Sequence, residues 1–371
     1  MAGTPSSRRS CPCSTRSSGS SFRRAEVIDA PTLPAALILA GLPSAVYLVI
    51  LNAIDRYEKE PWRLLLAGVV LGAIAVPAIS MVTLAAIGRG FELPLGYAPG
   101  VDPDPVARIV EQVVLAALLL GLVHGIRGEF DDTLDGIVYG AAIGAGLGAA
   151  ETFLYVVVGT GQLGSSTLAL LLAAGLNQAF YGAVFGAIAG TVSHWTDRRR
   201  AWIVIALGVA TAAFLSAVHD TLPAMLGRLV ERPDAALGAA TRLLAFGINL
   251  LGVALLGAVV VWAWGREARI LRRYLAPEIA AGVSSSDELA RLTSLRARLA
   301  SQVGAVRRRR LNELRAIRQL HSTLGELAFH NYRTAVRTHR PPPATGEALR
   351  ERVAALRAQL AASEPGEEAA R

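Results

Sequence analysis

Only 18% of the 371 residues are charged, lysine occurs once, as Lys59, and cysteine twice, as Cys11 and Cys13. The two cysteines lie together in a Ser/Arg-rich leader, which excludes a disulfide framework or a cysteine metal clip holding the fold. So little charge, with 53% hydrophobic residues and a mean hydropathy of +0.42, excludes an ordinary soluble protein of this length. The apolar surplus has to face lipid. Aromatic residues are also few, at 6%, and none is interleaved with the basic block Arg307 to Arg310, so no nucleic-acid partner is expected. The net charge of +8 is instead what anionic headgroups and a positive-inside orientation account for.

What the chain has in abundance is long apolar runs. Pro34 to Ile54, Leu64 to Ile87, Ala107 to Ile126, Gly136 to Val158, Ser166 to Val192, Ala201 to Leu226 and Leu243 to Trp264 are each about the 20 residues a bilayer requires. The first is too long for a signal peptide and is followed by similar runs, so it reads as a retained span. Small residues crowd these runs, as in Ala141 to Gly148, and let helix backbones approach closely.

Met1 to Arg24 has no apolar period and reads as disordered, or as residues upstream of the true start. After Trp264 the composition turns to Arg, Glu, Ala and Leu, with Leu289, Leu292, Leu295 and Leu299 at helical spacing. That part reads as a solvated or membrane-surface helix pair broken at Pro341, Pro342 and Pro343. The expected fold class is therefore all-α: a polytopic membrane bundle of about seven spans, with a leader over 1–30, the bundle over 31–265 and a basic helical tail over 266–371.

The loops sort into two sets. One carries Arg56, Lys59, Arg63, Arg127 and Arg198 to Arg200 together with the tail; the other carries Arg89, Arg108, Arg228, Arg232 and Arg242. The positive-inside rule puts the first set and the C-terminus in the cytoplasm, in the plasma membrane, although the leader arginines oppose this.

Ionisable residues inside spans cost a few kcal/mol and are either functional or paired. Counting about 1.5 Å per residue places Glu111, Glu151 and His219 at one depth in the outer half, with Asp220 beside His219. Two carboxylates and an imidazole from three helices can hold zinc and leave a position for water; alternatively, each bonds to a neighbouring helix or stays wet at the interface. Gln112, Asn177, Gln178 and Asn249 are the neutral polar residues. His124 and His194 fall at the opposite ends, where an interfacial histidine is ordinary.

Three stretches carry a resemblance: Asp55 to Pro61; the acidic turn Glu129 to Asp135 leading into Gly136 to Gly140; and Gly146 to Tyr155, which closes with Glu151-x-x-x-Tyr155. Together they resemble the PrsW family of intramembrane metalloproteases, over roughly Pro34 to Leu226. The resemblance implies a helical bundle, peptide-bond hydrolysis in membrane-anchored proteins, Glu111 and Glu151 as catalytic residues, and zinc on Glu111, Glu151 and His219. The chain departs from the family pattern where Gln112 replaces a second glutamate, Leu115 a basic residue, Thr152 an asparagine and Gln178 a histidine. Glutamine is neither an anionic ligand nor a general base, so a catalytically inactive member that binds and regulates membrane partners is the alternative. A transporter is weaker, because inverted hydropathy repeats are not evident.

Overall fold

A computed structural model describes residues 32–55, 57, 60–89, 104–125, 130, 132–158, 165–193, 195–229, 235–294, 296–297, 300, 311–336 and 345–363. The leader over 1–30, the Arg307 to Arg310 block, Pro341 to Pro343, His194 and the loop residues Arg56, Lys59, Arg127 and Arg232 lie outside them, as does the side chain of Asp220.

The described residues form α-helices and no strand. They are α1 (Thr32–Ile54), α2 (Trp62–Val70), a π-helical turn (Leu71–Ala75), α3 (Val76–Ala86), α4 (Pro105–Gly125), α5 (Thr133–Val158), α6 (Ser165–Val192), α7 (Arg198–Leu229), α8 (Ala235–Ala280), α9 (Ser286–Thr293), α10 (Leu311–Val336) and α11 (Gly346–Ser363). The stretch α2 to α3 is one rod, and its π-turn widens just before Pro77, whose missing N–H breaks the regular ladder. Among the described residues, six helical segments are long and apolar enough to cross a bilayer: Leu33–Ile54, Trp62–Ala86, Pro105–Gly125, Thr133–Val157, Arg198–His219 and Phe246–Ala280. The remaining expected span is the 28-residue α6, packed within the same bundle.

At the centre stands α5, which buries Ile137, Val138, Tyr139, Ala142, Ile143 and Leu147. Its partner α6 approaches through a glycine zipper. Gly136, Gly140 and Gly144 on α5 meet Gly186, Gly182 and Gln178 on α6 so closely that an added Cβ would land on a facing carbonyl oxygen. On its other side α5 presses Gly146 against Val69 of α2, and Gly72 of the π-turn presses against Ile143. In hydrocarbon such contacts substitute for the hydrophobic drive that water supplies elsewhere. The outer faces are bare apolar side chains, such as Ile38, Leu42, Ile74, Phe214 and Leu251, which is the surface a bilayer requires.

The acidic turn before α5 is a reciprocal cap. Asp132 Oδ1 accepts from the backbone N–H of Leu134, while Asp135 Oδ2 accepts from the N–H of Asp132 at 3.1 Å. The Asp55 to Pro61 stretch is a latch: Asp55 accepts from the Glu60 N–H, and Glu60 accepts from the Tyr139 hydroxyl. Beside it Trp264 donates to the Ile54 carbonyl at 2.8 Å.

Past Trp264 the described residues differ from the expected solvated or membrane-surface helix pair. α8 runs on without a break to Ala280 and ends where Gly282, at φ 77°, lets Val283 N–H reach back to the Glu278 carbonyl at 2.9 Å. Against this extension pack α9, α10 and α11, burying Leu271, Leu275, Leu292, Leu324, Leu327 and Val353 together with Tyr57. Arg350 clamps Glu278 at 2.7 Å, and Arg357 reaches Glu288 at 3.1 Å. Of the leucines that read as a surface helix, Leu289 and Leu292 thus face a small core, while Leu295 and Leu299 lie outside the described residues. Leu324, fully buried there, predicts a cost of about 2–5 kcal/mol for Leu324→Ala, measured as a loss of unfolding free energy.

Candidate active site

The start of α4 decides the site. Asp104 caps the helix by accepting from the Val106 N–H at 3.0 Å, and Pro105 occupies the first helical position, where its missing N–H costs nothing. The helix therefore begins early enough to hold Arg108 inside it. This corrects its assignment to an outer loop: Arg108 is 2% exposed and points into the bundle. Three residues on, over the same face, stands Glu111.

Arg108 Nη1 donates to Glu111 Oε2 at 2.7 Å and also bridges to Glu151 Oε1 across on α5. Gln178 of α6 donates to Glu151 Oε1 at 2.9 Å and accepts from Gln112 Nε2 of α4 at 2.9 Å. All five side chains are buried. They tie α4, α5 and α6 together at one level, in a medium where an unpaired charge would be very costly.

A second polar set sits on the other side of α6. Asn177, turned about 100° round α6 from its neighbour Gln178, lies 2.9 Å from His219 Nε2. Asn249 of α8 lies 3.0 Å from His219 Nδ1 and donates to Asn177 Oδ1 at 2.9 Å and to the Tyr181 hydroxyl at 3.0 Å. His219 is only partly buried.

The structure thus brings Glu111 and Glu151 together through Arg108. His219 lies among the amides Asn177 and Asn249, and Asn177 adjoins Gln178 of the carboxylate layer along α6. Reading the spans had marked Gln112, Asn177, Gln178 and Asn249 as polar but missed Arg108; the signal available was Asp104-Pro105 followed by Arg108-x-x-Glu111. His124 lies exposed at the far end of α4.

Comparison with known proteins bears on this arrangement. A profile of the family described as PrsW family intramembrane metalloprotease matches residues 60–264. The protease PrsW of Geobacillus kaustophilus (strain HTA426) is 25% identical over 187 residues, covering 50% of this chain and 79% of its own length. No solved structure matches the chain.

Proposed function

The chain belongs to the PrsW family of intramembrane metalloproteases, and on that premise we propose that it hydrolyses peptide bonds of membrane-anchored proteins at the buried polar layer of α4 to α8. It is a multi-pass membrane protein. The proposed setting is the plasma membrane, with the α9 to α11 cluster in the cytoplasm, the orientation favoured by Arg198, Arg199 and Arg200 and by the arginines of residues 266–371. In that orientation the polar layer lies in the outer half of the bilayer.

The observation that carries this reading is the pair Glu111 and Glu151, two carboxylates held 1% and 3% exposed among apolar helices. Bundles retain such groups for chemistry more than for stability. Two carboxylates share one guanidinium there, and a carboxylate is the group of this layer that can take a proton as a general base. The proposed step is a carboxylate taking a proton from water as the oxygen attacks the scissile carbonyl, then giving it to the departing amine. Side-chain amides of the layer, Gln178 foremost, are the donors available to the oxyanion.

The family's description implies a metal, and the candidate ligands for zinc here are Glu111, Glu151 and His219. As folded they do not fit a divalent ion. The Arg108 guanidinium stands between the two carboxylates, and both nitrogens of His219 face amides. Among the described residues no three His, Cys, Asp or Glu side chains converge as a metal site. No step through zinc is derived.

The test is reconstitution of the full chain in vesicles with a panel of single-span reporter proteins. The expected result is a new peptide end within the outer half of a reporter's span. Reporters that all stay intact, with the chain shown to be folded, would remove the reading.

A further inference from the structure

We infer that Arg108 is a built-in counter-cation, occupying in this chain the place between Glu111 and Glu151 that a divalent ion would have to take. The inference goes beyond the proposed activity and does not depend on turnover.

Three observations carry it. First, the arginine's position is set by the chain itself: the Asp104 cap and Pro105 start α4 so that Arg108 and Glu111 share one face three residues apart. Second, a single terminal nitrogen, Nη1, reaches both carboxylates, from α4 and from α5, so the cation bridges two helices as a metal would. A guanidinium keeps its charge at any working pH and cannot be titrated out of the way. Third, the side chains hydrogen-bonded onward from the arginine-bridged carboxylates are amides: Gln178 donates to Glu151 and accepts from Gln112. They satisfy a carboxylate by donating hydrogen bonds and add none of the anionic or imidazole ligands that a divalent ion prefers. A zinc ion placed between Glu111 and Glu151 would meet a fixed positive charge at contact distance and bring no ligand set to offset it.

Removing the arginine reverses the balance. Two carboxylates then face each other across the α4–α5 interface with no cation between them, an arrangement that draws in a divalent ion or a proton. Arg108→Lys keeps the charge and so should not open the site.

The experiment is zinc content by mass spectrometry on the full chain, purified in detergent and dialysed against zinc chloride, with melting temperature recorded with and without zinc. Wild type and Arg108→Lys are expected to hold at least about tenfold less zinc than Arg108→Ala, and zinc should raise the melting temperature of Arg108→Ala alone. A merely structural arginine would lower stability when removed without creating zinc binding. Wild-type protein carrying one zinc per chain, lost in Glu151→Gln, would overturn the inference whatever the arginine variants do. So would a folded Arg108→Ala that takes up no more zinc than wild type, or an Arg108→Lys that takes up as much as Arg108→Ala. Should Arg108→Ala fail to fold, Arg108→Gln supplies the same comparison with a neutral side chain that can still donate to both carboxylates.

Discussion

Gly186→Ala should unfold or misassemble the bundle, while Gly257→Ala, the same substitution on another spanning helix, should leave it intact. At Gly186 the added methyl would land on the carbonyl oxygen of Gly136, and the backbone behind that oxygen leaves no flexible side chain to give way. The two helices would have to separate. With them would go the neighbouring contacts of Gly140 and Gly182 and the Thr133–Thr191 hydrogen bond of 3.0 Å. Overpacking against a soft side chain costs about 1–3 kcal/mol, and against a backbone the cost should reach or exceed the top of that range. At Gly257 nothing lies within 4 Å of the new Cβ, so alanine should be neutral or gain up to about 1 kcal/mol of helix propensity. Thermal unfolding in detergent, read beside gel-filtration monodispersity, separates the two outcomes. Equal stability of the two variants would show that the α5–α6 contact is not the structural spine.

The spacing of glycines announces close helix contact, but not which helix is the partner. Gly136, Gly140 and Gly144 recur every four residues, and so do Gly182, Gly186 and Gly190, yet only the folded bundle pairs one series with the other in antiparallel register. The spans themselves were legible because a bilayer imposes a length and an apolar composition that few soluble segments meet. The polar layer was legible as single residues for a related reason: an amide or carboxylate is conspicuous in a run of Val, Leu and Ala. Arg108 was lost because it falls at the border between loop and span, where a cation normally marks the membrane surface. Telling the two cases apart needed the helix start, which Asp104 and Pro105 fix.

The tail failed in the opposite way. At Arg266 the composition turns from apolar to charged, which looks like a boundary. The backbone has no reason to stop there, because Arg, Glu, Ala and Leu are all good helix formers. α8 therefore carries the helix past that change in composition, and the buried Leu271 and Leu275 give α9, α10 and α11 a surface to cover. Tyr57, in the loop after the first span, is buried in the same cluster, so the Asp55 to Pro61 stretch joins the bundle to the tail through the Glu60–Tyr139 bond on one side and Tyr57 on the other.

Glu151→Gln should lower peptide-bond hydrolysis by about 10²–10⁴-fold while leaving the protein folded. The fold should survive because the substitution strands no cation: the variant leaves Arg108 paired with Glu111 at 2.7 Å. Neutralising one of two carboxylates on a shared guanidinium avoids the penalty of leaving a buried charge without its partner. Glutamine also keeps the size of the side chain and an oxygen for Gln178 and Arg108 to donate to. What it loses is the ability to take a proton from water. Glu111→Gln removes the same charge from the other partner, but Glu111 shares a helix with Arg108 and chiefly holds the guanidinium in place, so its loss should lower turnover less than that of Glu151. The ranking follows from placement: Glu151 is the carboxylate reached across the helix interface, gripped by Arg108 of α4 and by Gln178 of α6 on the same oxygen, Oε1. Single-turnover cleavage rates of the two variants, with melting temperatures within a few degrees of wild type, measure it. A folded Glu151→Gln that cleaves as fast as wild type would mean that the Arg108–Glu111–Glu151 layer is a structural lock, and that hydrolysis, where it occurs, takes place elsewhere in the bundle.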